Sequence, residues 1–412
     1  MHVGFLTFES PFGSQGGGVA AYLRAAIPAL IDRGHRVTLI TAIRGAEVSN
    51  PYPGALRLVP VRLPNAHWYV SKLPVAGTLL TLPLREAEWS YAFRRAVAQA
   101  MRDEPMDVLE GTELGSWWVA RNPIVPLVVR LHGAEYTFSR YIGKPLTAGS
   151  LWNRRLQRQV LNSAAAVTAP SRFQASEVAQ EMQWQPGRIT VVPNVIAPQM
   201  LDKANSDAPR SASNADSPVV LYTGRLAPVK GTPLLLEAAA GVLKQFPQAE
   251  FVLAGAWQMA APPKDWSGWL ERLGGSPRVT WLGHQDANQL AELYRRATVF
   301  VMPSYYETFG ISCLEAMAFR VPVVATRAGA LPEIVEHDRV GLTVTPGDPT
   351  ALAGAICRLL RDPNLRQRLG SAGRERVLAQ FTANAVQDHM IAAYEQARQN
   401  IQCQSVQSQS IQ

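Results

Sequence analysis

Two glutamates eight residues apart, Glu307 and Glu315, flank Thr308-Phe309-Gly310-Ile311 in the stretch SYYETFGISCLEA, residues 304–316. Carboxylates hold hydroxyls well: one can accept from a sugar, the other from a vicinal diol such as that of ribose. Gly310 has no Cβ, and Ile311 opens a segment of helical character. The amides of Phe309, Gly310 and Ile311 should therefore stand at a helix N-terminus, where free N–H groups and the positive end of the dipole draw a phosphate. Glu315 then falls on about the second turn of that helix. Two cations complete the set. In VLYTGRLAPVKGTPLLLEA, residues 220–238, Arg225 and Lys230 flank a turn tightened by Gly224 and Gly231. An arginine fork and a compact lysine charge can neutralise a diphosphate leaving group. Acids for hydroxyls and cations for a diphosphate suit a nucleoside diphosphate-sugar as co-substrate. The chain has no Asp-x-Asp pair and no His/Cys cluster, so chemistry without a metal or bound cofactor is expected.

Such groups have to be carried on the ends of strands. MHVGFLTF, RVTLITA, LRLVPVRL, MDVLEG, IVPLVVRL, AAVTAPS and ITVVPNV are short and mostly apolar, with helical stretches such as GGGVAAYLRAAIPALIDRGH between some of them. A second series, VVLYTG, EFVLAG, RVTWLG, TVFVMPS, VPVVAT and GLTVTP, follows KANSDAPRSASNADSP, which lacks any apolar period. Two βαβ arrays predict two doubly wound, Rossmann-like α/β domains facing across a cleft, with ligands outside the carboxyl ends of the strands. The expected division is a first domain over 1–198, a linker over 199–218 and a second domain over 219–380. A helix over 381–400 would pack back on the first domain, and 401–412 would be a flexible Gln/Ser-rich tail.

With 412 residues, 47% of them hydrophobic and 17% charged, the chain is globular and long enough for two cores. Residues 1–200 hold 20 Lys+Arg against 13 Asp+Glu, or +7; the rest holds 40 − 20 = 20 against 32 − 13 = 19, or +1. A basic first half attracts phosphates and anionic lipid heads and allows peripheral contact with an anionic membrane. No finger, homeodomain-like run or aromatic-basic RNA motif accompanies it, so nucleic acid is not an expected partner. MHVGFLTF lacks the charged start and cleavage site of a secretion signal. The apolar run VAGTLLTLPL, residues 75–84, is about half of what a spanning helix needs. A cytoplasmic protein is the expectation. Cys313, Cys357 and Cys403 suggest neither a disulfide framework nor a metal site.

Taken in order and at their spacing, GGGVAAYLRAAIPALIDRGHRVTLIT, LHG at 131–133, RITVVPN, GRLAPVKG, WLGHQD, ETFGISCLEAMA and AGALPEIV resemble the family 4 retaining glycosyltransferases of GT-B architecture. The resemblance spans nearly the whole chain. It implies that Arg225 and Lys230 hold the donor phosphates, Glu315 the ribose and Glu307 the sugar hydroxyls. His284 and Gln285 would lie beside the base. Gly17 and Gly18 would approach the diphosphate, and His132 would bond the transferred sugar near its anomeric carbon. Retention by front-side attack is implied, the departing phosphate oxygen helping to deprotonate the acceptor hydroxyl. Two departures stand out: Val195-Ile196-Ala197-Pro198 follow Asn194 where the family often has Gly and an acid, and Thr308 replaces a common Gly.

The acceptor is less legible. Trp68, Tyr69, Trp89, Tyr91 and Phe93 mingle with Arg85, Arg94 and Arg95, a mixture that suits sugar rings, a membrane surface with a lipid-linked acceptor, or helix packing. Glu110 and Glu113, at a strand end, could bond acceptor hydroxyls. A UDP-sugar is the first expectation for the donor and GDP-mannose the next. A sugar-nucleotide sensor without turnover and a UDP-sugar epimerase of the same architecture are the rival readings.

Overall fold

Alternating burial explains why thirteen short segments become strands. In the second half, Leu221, Phe300 and Val323 enter one apolar cluster while their neighbours Val220, Val301 and Val324 enter another, a period of two that covers both faces of a parallel sheet. The computed structural model describes residues 1–12, 17–43, 50–73, 76–133, 141, 147–206, 217–257 and 278–409. The first sheet contains β1 (His2–Thr7), β2 (Arg36–Ala42), β3 (Leu56–Val61), β4 (Val108–Thr112), β5 (Leu127–Arg130), β6 (Ala166–Ala169) and β7 (Ile189–Val191). The second contains β8 (Val219–Thr223), β9 (Glu250–Ala254), β10 (Val279–Trp281), β11 (Val299–Met302), β12 (Val323–Thr326) and β13 (Gly341–Val344). Both are parallel, in the orders β3-β2-β1-β4-β5-β6-β7 and β10-β9-β8-β11-β12-β13. Each order reverses at its first strand, which is the doubly wound pattern expected from the sequence.

The chain divides into Met1–Val195 with Val386–Gln412, and Ile196–Ala385. The final helix, Ala383–Gln409, is thus largely part of the first unit. There Tyr394 Oη donates to Glu110 Oε2 at 2.8 Å, Tyr22 Oη to Met390 Sδ at 3.6 Å, and Asn400 Nδ2 to the Ala165 carbonyl at 2.8 Å.

Two sequence expectations are corrected. The linker expected over 199–218 begins with a helix, Pro198–Asn205, started by proline at its first position and holding Met200 in the core of the second unit. Its residues 207–216 lie outside those described. The tail expected to be flexible from 401 continues the last helix to Gln409, and 410–412 lie outside the described residues. Among the described residues no helix is long and apolar enough to cross a membrane.

Candidate active site

In the second sheet β8 and β11 are neighbours at the point where strand order reverses, and the loops leaving their carboxyl ends carry the charges singled out above. After β8 come Gly224 and Arg225, then the short 3-10 turn Pro228–Lys230. Following β11 is the Ser304–Gly310 loop, which enters the helix Ile311–Ala318. The Tyr305 amide donates to the Val229 carbonyl at 2.8 Å and ties the two loops together. Gly231 makes the approach possible: at φ 73°, a Cβ there would lie 1.9 Å from the Pro303 carbonyl oxygen. Gly329, at φ 58°, lets a third loop press on the second, its absent Cβ leaving room for the Glu307 carbonyl, to which the Ala330 amide donates at 2.9 Å.

Within this frame Lys230 Nζ donates to Glu307 Oε2 at 2.7 Å, with 18% and 13% of the two side chains exposed. Sequence reading treated them as separate contacts to phosphate and sugar, whereas the fold pairs them. Arg225 is exposed, and its carbonyl accepts from Tyr222 Oη at 2.7 Å. Burial first, and then the charge of Glu307, push the Tyr222 phenol up, so it stays protonated and keeps that turn fixed.

Gly310 is the N-cap, left-handed at φ 104°, and Glu315 is the fifth residue of the helix that follows. Phe309 turns its ring into the core, 5.9 Å from Phe381, so only its amide faces the loop. Glu315 Oε2 accepts from Tyr294 Oη at 2.8 Å, and Tyr294 Oη lies 2.7 Å from Thr223 Oγ1 at the end of β8. Tyr294 is fully buried; burial and then the Glu315 charge hold its phenol well above the usual range. It is a partner of Glu315 that sequence reading missed. The available signal was a lone aromatic on the apolar side of the amphipathic helix Ala287–Arg296.

Other expected donor contacts lie around this frame. Thr308 is half-buried in the loop. His284 is exposed beyond β10, an edge strand two positions from β8 and so roughly 10 Å away across the sheet. Gln285 folds back, its amide donating to the Leu282 and His284 carbonyls at 2.8 and 3.0 Å.

In the first unit, Gly17 caps the helix Gly18–Asp32, but its amide donates to Glu9 Oε2 at 2.8 Å, and the Ala20 amide to the same atom at 3.2 Å. Glu9 therefore sits on the N–H groups expected to be open to a ligand, a pairing that no sequence spacing announced. His132 follows β5 and is half-buried. Burial, and then the Arg130 guanidinium, lower its pKa to about 3, which makes the ring a neutral hydrogen-bonding group.

Glu113 and Glu110 are corrected as acceptor contacts. Glu113 is 3% exposed, and its Oε1 accepts from the amides of His132 at 3.2 Å and Gly133 at 2.9 Å, so it shapes the His132 loop. Glu110 is buried under Tyr394 beside the fully buried Arg130. Burial raises both carboxyls. Trp68 is half-exposed on the helix Ala66–Ser71, Arg94 is half-buried on the helix Ala76–Asp103, and Phe93 belongs to the core. Among the described residues no three His, Cys, Asp or Glu side chains converge as a metal site.

The fold and this site define a two-domain α/β enzyme of GT-B architecture. The family model described as glycosyl transferases group 1 matches residues 204–376, and that described as Glycosyltransferase Family 4 matches residues 16–199. The D-inositol 3-phosphate glycosyltransferase of Acidothermus cellulolyticus is 31% identical over 384 residues, 88% of this chain and 82% of that one. The enzyme of the same name from Corynebacterium efficiens is 30% identical over 254 residues, and the chain spans 60% of its length. Sucrose-phosphate synthase from Thermosynechococcus elongatus is 25% identical and superposes with a TM-score of 0.75, over 96% of this chain and 98% of that one. The chain belongs to glycosyltransferase family 4 and is a glycosyltransferase.

Proposed function

We propose that this glycosyltransferase takes a hexosyl group from a nucleoside diphosphate-sugar and transfers it, with retention and without a metal, to a hydroxyl of a glycan, lipid-linked or small-molecule acceptor. The observation that carries this reading is the Lys230–Glu307 pair, 2.7 Å apart where β8 and β11 end, beside the Gly310 helix start and a Glu315 aligned by Tyr294. A diphosphate at the helix start would share Lys230 with Glu307 and meet Arg225. Its negative charge grows as the bond from the anomeric carbon to the phosphate oxygen breaks, and fixed cations stabilise that charge most where it develops. The acceptor oxygen bonds the anomeric carbon on the same face, and its proton passes to the departing phosphate oxygen. Glu307 and the neutral His132 would fix the sugar; Glu315 would take the ribose diol. The names of the relatives, glycosyltransferases acting on D-inositol 3-phosphate, support a small polar acceptor as the first to try. A UDP-sugar is the first donor to test and GDP-mannose the second. The proposed location is the cytoplasm, peripheral to the inner face of the membrane.

The test is incubation with UDP-, GDP- and ADP-sugars in chelator, following nucleoside diphosphate release and thermal shift together, with the product anomer read by NMR. Release with one donor, absent in Lys230→Ala, and an anomer matching the donor are expected. Stabilisation by donor with no release in the presence of acceptors would overturn catalysis in favour of a sensor, and an inverted product would remove the front-side mechanism.

A further inference from the structure

The helix Ala76–Asp103 lies on the first sheet through Phe93, Val97 and Ala100, all buried. Its opposite stripe, at helical spacing, is Leu80, Leu84, Ala87 and Tyr91. A solvent stripe is ordinarily polar. Here Leu80 is 53% and Tyr91 55% exposed, and Arg95 follows one turn on. Beside it lies the helix Ala66–Ser71, none of whose six residues is buried. Trp68 and Tyr69 stand on it with ring centroids 5.1 Å apart, Tyr69 is 70% exposed, and Leu73 just beyond is 52% exposed. Among the described residues no buried side chain of this helix accounts for its apolar content.

The charge around these side chains has one sign. Lys72 Nζ sits 3.6 Å above the Trp68 ring, Arg85 lies 5.2 Å over Trp89, and Arg95 is exposed. The nearby acids are engaged: Glu88 Oε2 lies 3.0 Å from His67 Nδ1, and Glu86 is buried, accepting from the Gly115 amide at 2.6 Å. Tryptophan and tyrosine at headgroup depth, leucines just below and cations among phosphates are what an anionic bilayer accepts. A second copy of the chain would set Lys72, Arg85 and Arg95 against their like. Among the described residues, nine of the twelve exposed large apolar side chains fall between Trp68 and Trp152, in the half that carries +7 of the charge, so apolar exposure and cationic excess coincide.

We infer that this face, built on Tyr69, Leu73, Leu80 and Tyr91 with Lys72, Arg85 and Arg95, docks the enzyme on the anionic surface of a lipid bilayer. The inference deepens the proposed peripheral location and needs neither the donor nor the acceptor assignment.

The test is sedimentation of the full chain with vesicles of phosphatidylcholine alone and of phosphatidylcholine with phosphatidylglycerol, at low and high salt. Binding to the anionic vesicles only, weakened by salt, is expected. Tyr69→Ser/Leu80→Ser/Tyr91→Ser should abolish it, and Lys72→Glu or Arg95→Glu should weaken it by about fivefold or more each. These changes touch no donor group, so donor turnover and melting temperature should stay at the parent values and report that the variants fold. Equal binding by parent and triple variant would overturn this face while leaving a peripheral location standing. Absence of binding to either vesicle, or a dimer by analytical ultracentrifugation that the triple variant dissolves, would overturn the bilayer as its partner. Vesicle binding by a protein that turns over no donor would instead count against the proposed function and leave this surface intact.

Discussion

Lys230 Nζ and Glu307 Oε2 are 2.7 Å apart, although 77 residues of chain separate them and each belongs to a different strand-ending loop. The only cation on the 3-10 turn is thus held by the carboxylate of the neighbouring loop before any substrate arrives.

Removing Lys230 therefore acts twice. Lys230→Ala should lower kcat/KM by about 10²–10³, the usual effect of losing one fixed donor to a developing anion. It also leaves the mostly buried Glu307 without its counter-charge, so its melting temperature should fall below that of the double variant Lys230→Ala/Glu307→Ala. A single variant as stable as the double would show that the pair does not constrain the fold.

Tyr294→Phe removes the hydrogen bond to Glu315 while keeping the buried ring. The donor KM should rise about tenfold with kcat little changed, because a lost hydrogen bond to a charged group is worth about 1.5 kcal/mol or more. Steady-state kinetics with the best donor decide it; an unchanged KM removes Tyr294 from alignment of the proposed ribose contact.

Glycines separate steric need from ligand approach. Gly231→Ala places a Cβ 1.9 Å from the Pro303 oxygen in a left-handed turn and should destabilise the protein by several kcal/mol, about 1–3 from the backbone alone. A Cβ on Gly18 meets nothing within 4 Å. Gly18→Ala should melt with the parent and, if the first helix approaches the donor, raise its KM. Thermal melts paired with kinetics test both.

Two groups of the first unit, the half-buried His132 and the buried Glu86, give opposite pH signatures. His132 has its folded pKa lowered from 6.5 to about 3, so below pH 6.5 only the unfolded chain takes the proton, and stability is lost as pH falls through that window. Glu86 has its pKa raised from 4.5 to about 7, mainly by burial. Between those values the folded state keeps a proton that the unfolded chain has released, so stability is lost as pH rises. Glu86→Gln should therefore stabilise by about 3 kcal/mol more at pH 8 than at pH 4.5. Denaturant melts at the two pH values measure the difference, and an equal effect at both would contradict the raised pKa.

The strands were readable because burial on both faces leaves an apolar signature within a few residues, as in VFVM and VVAT. Lys230 and Glu307 were readable because their loops are short and follow such strands, and Glu315 because its helix starts where one of those loops ends. Partnerships across the chain were not. Nothing local says that Glu307 meets Lys230, that Tyr294 aligns Glu315, or that Glu9 turns back onto the Gly17 amide. Burial of Glu110 was equally hidden, since the phenol that satisfies it, Tyr394, lies 284 residues away.

That distance bears on how the molecule comes into being. Because Val386–Gln412 joins Met1–Val195, the first unit is assembled from two segments far apart in sequence, while Ile196–Ala385 is continuous. During synthesis the second unit has all its strands before the first receives Tyr394, so the part translated first is the part finished last. Until Tyr394 has been made and has docked, the Glu110 carboxylate, buried in the finished protein, waits without the phenol that will donate to it.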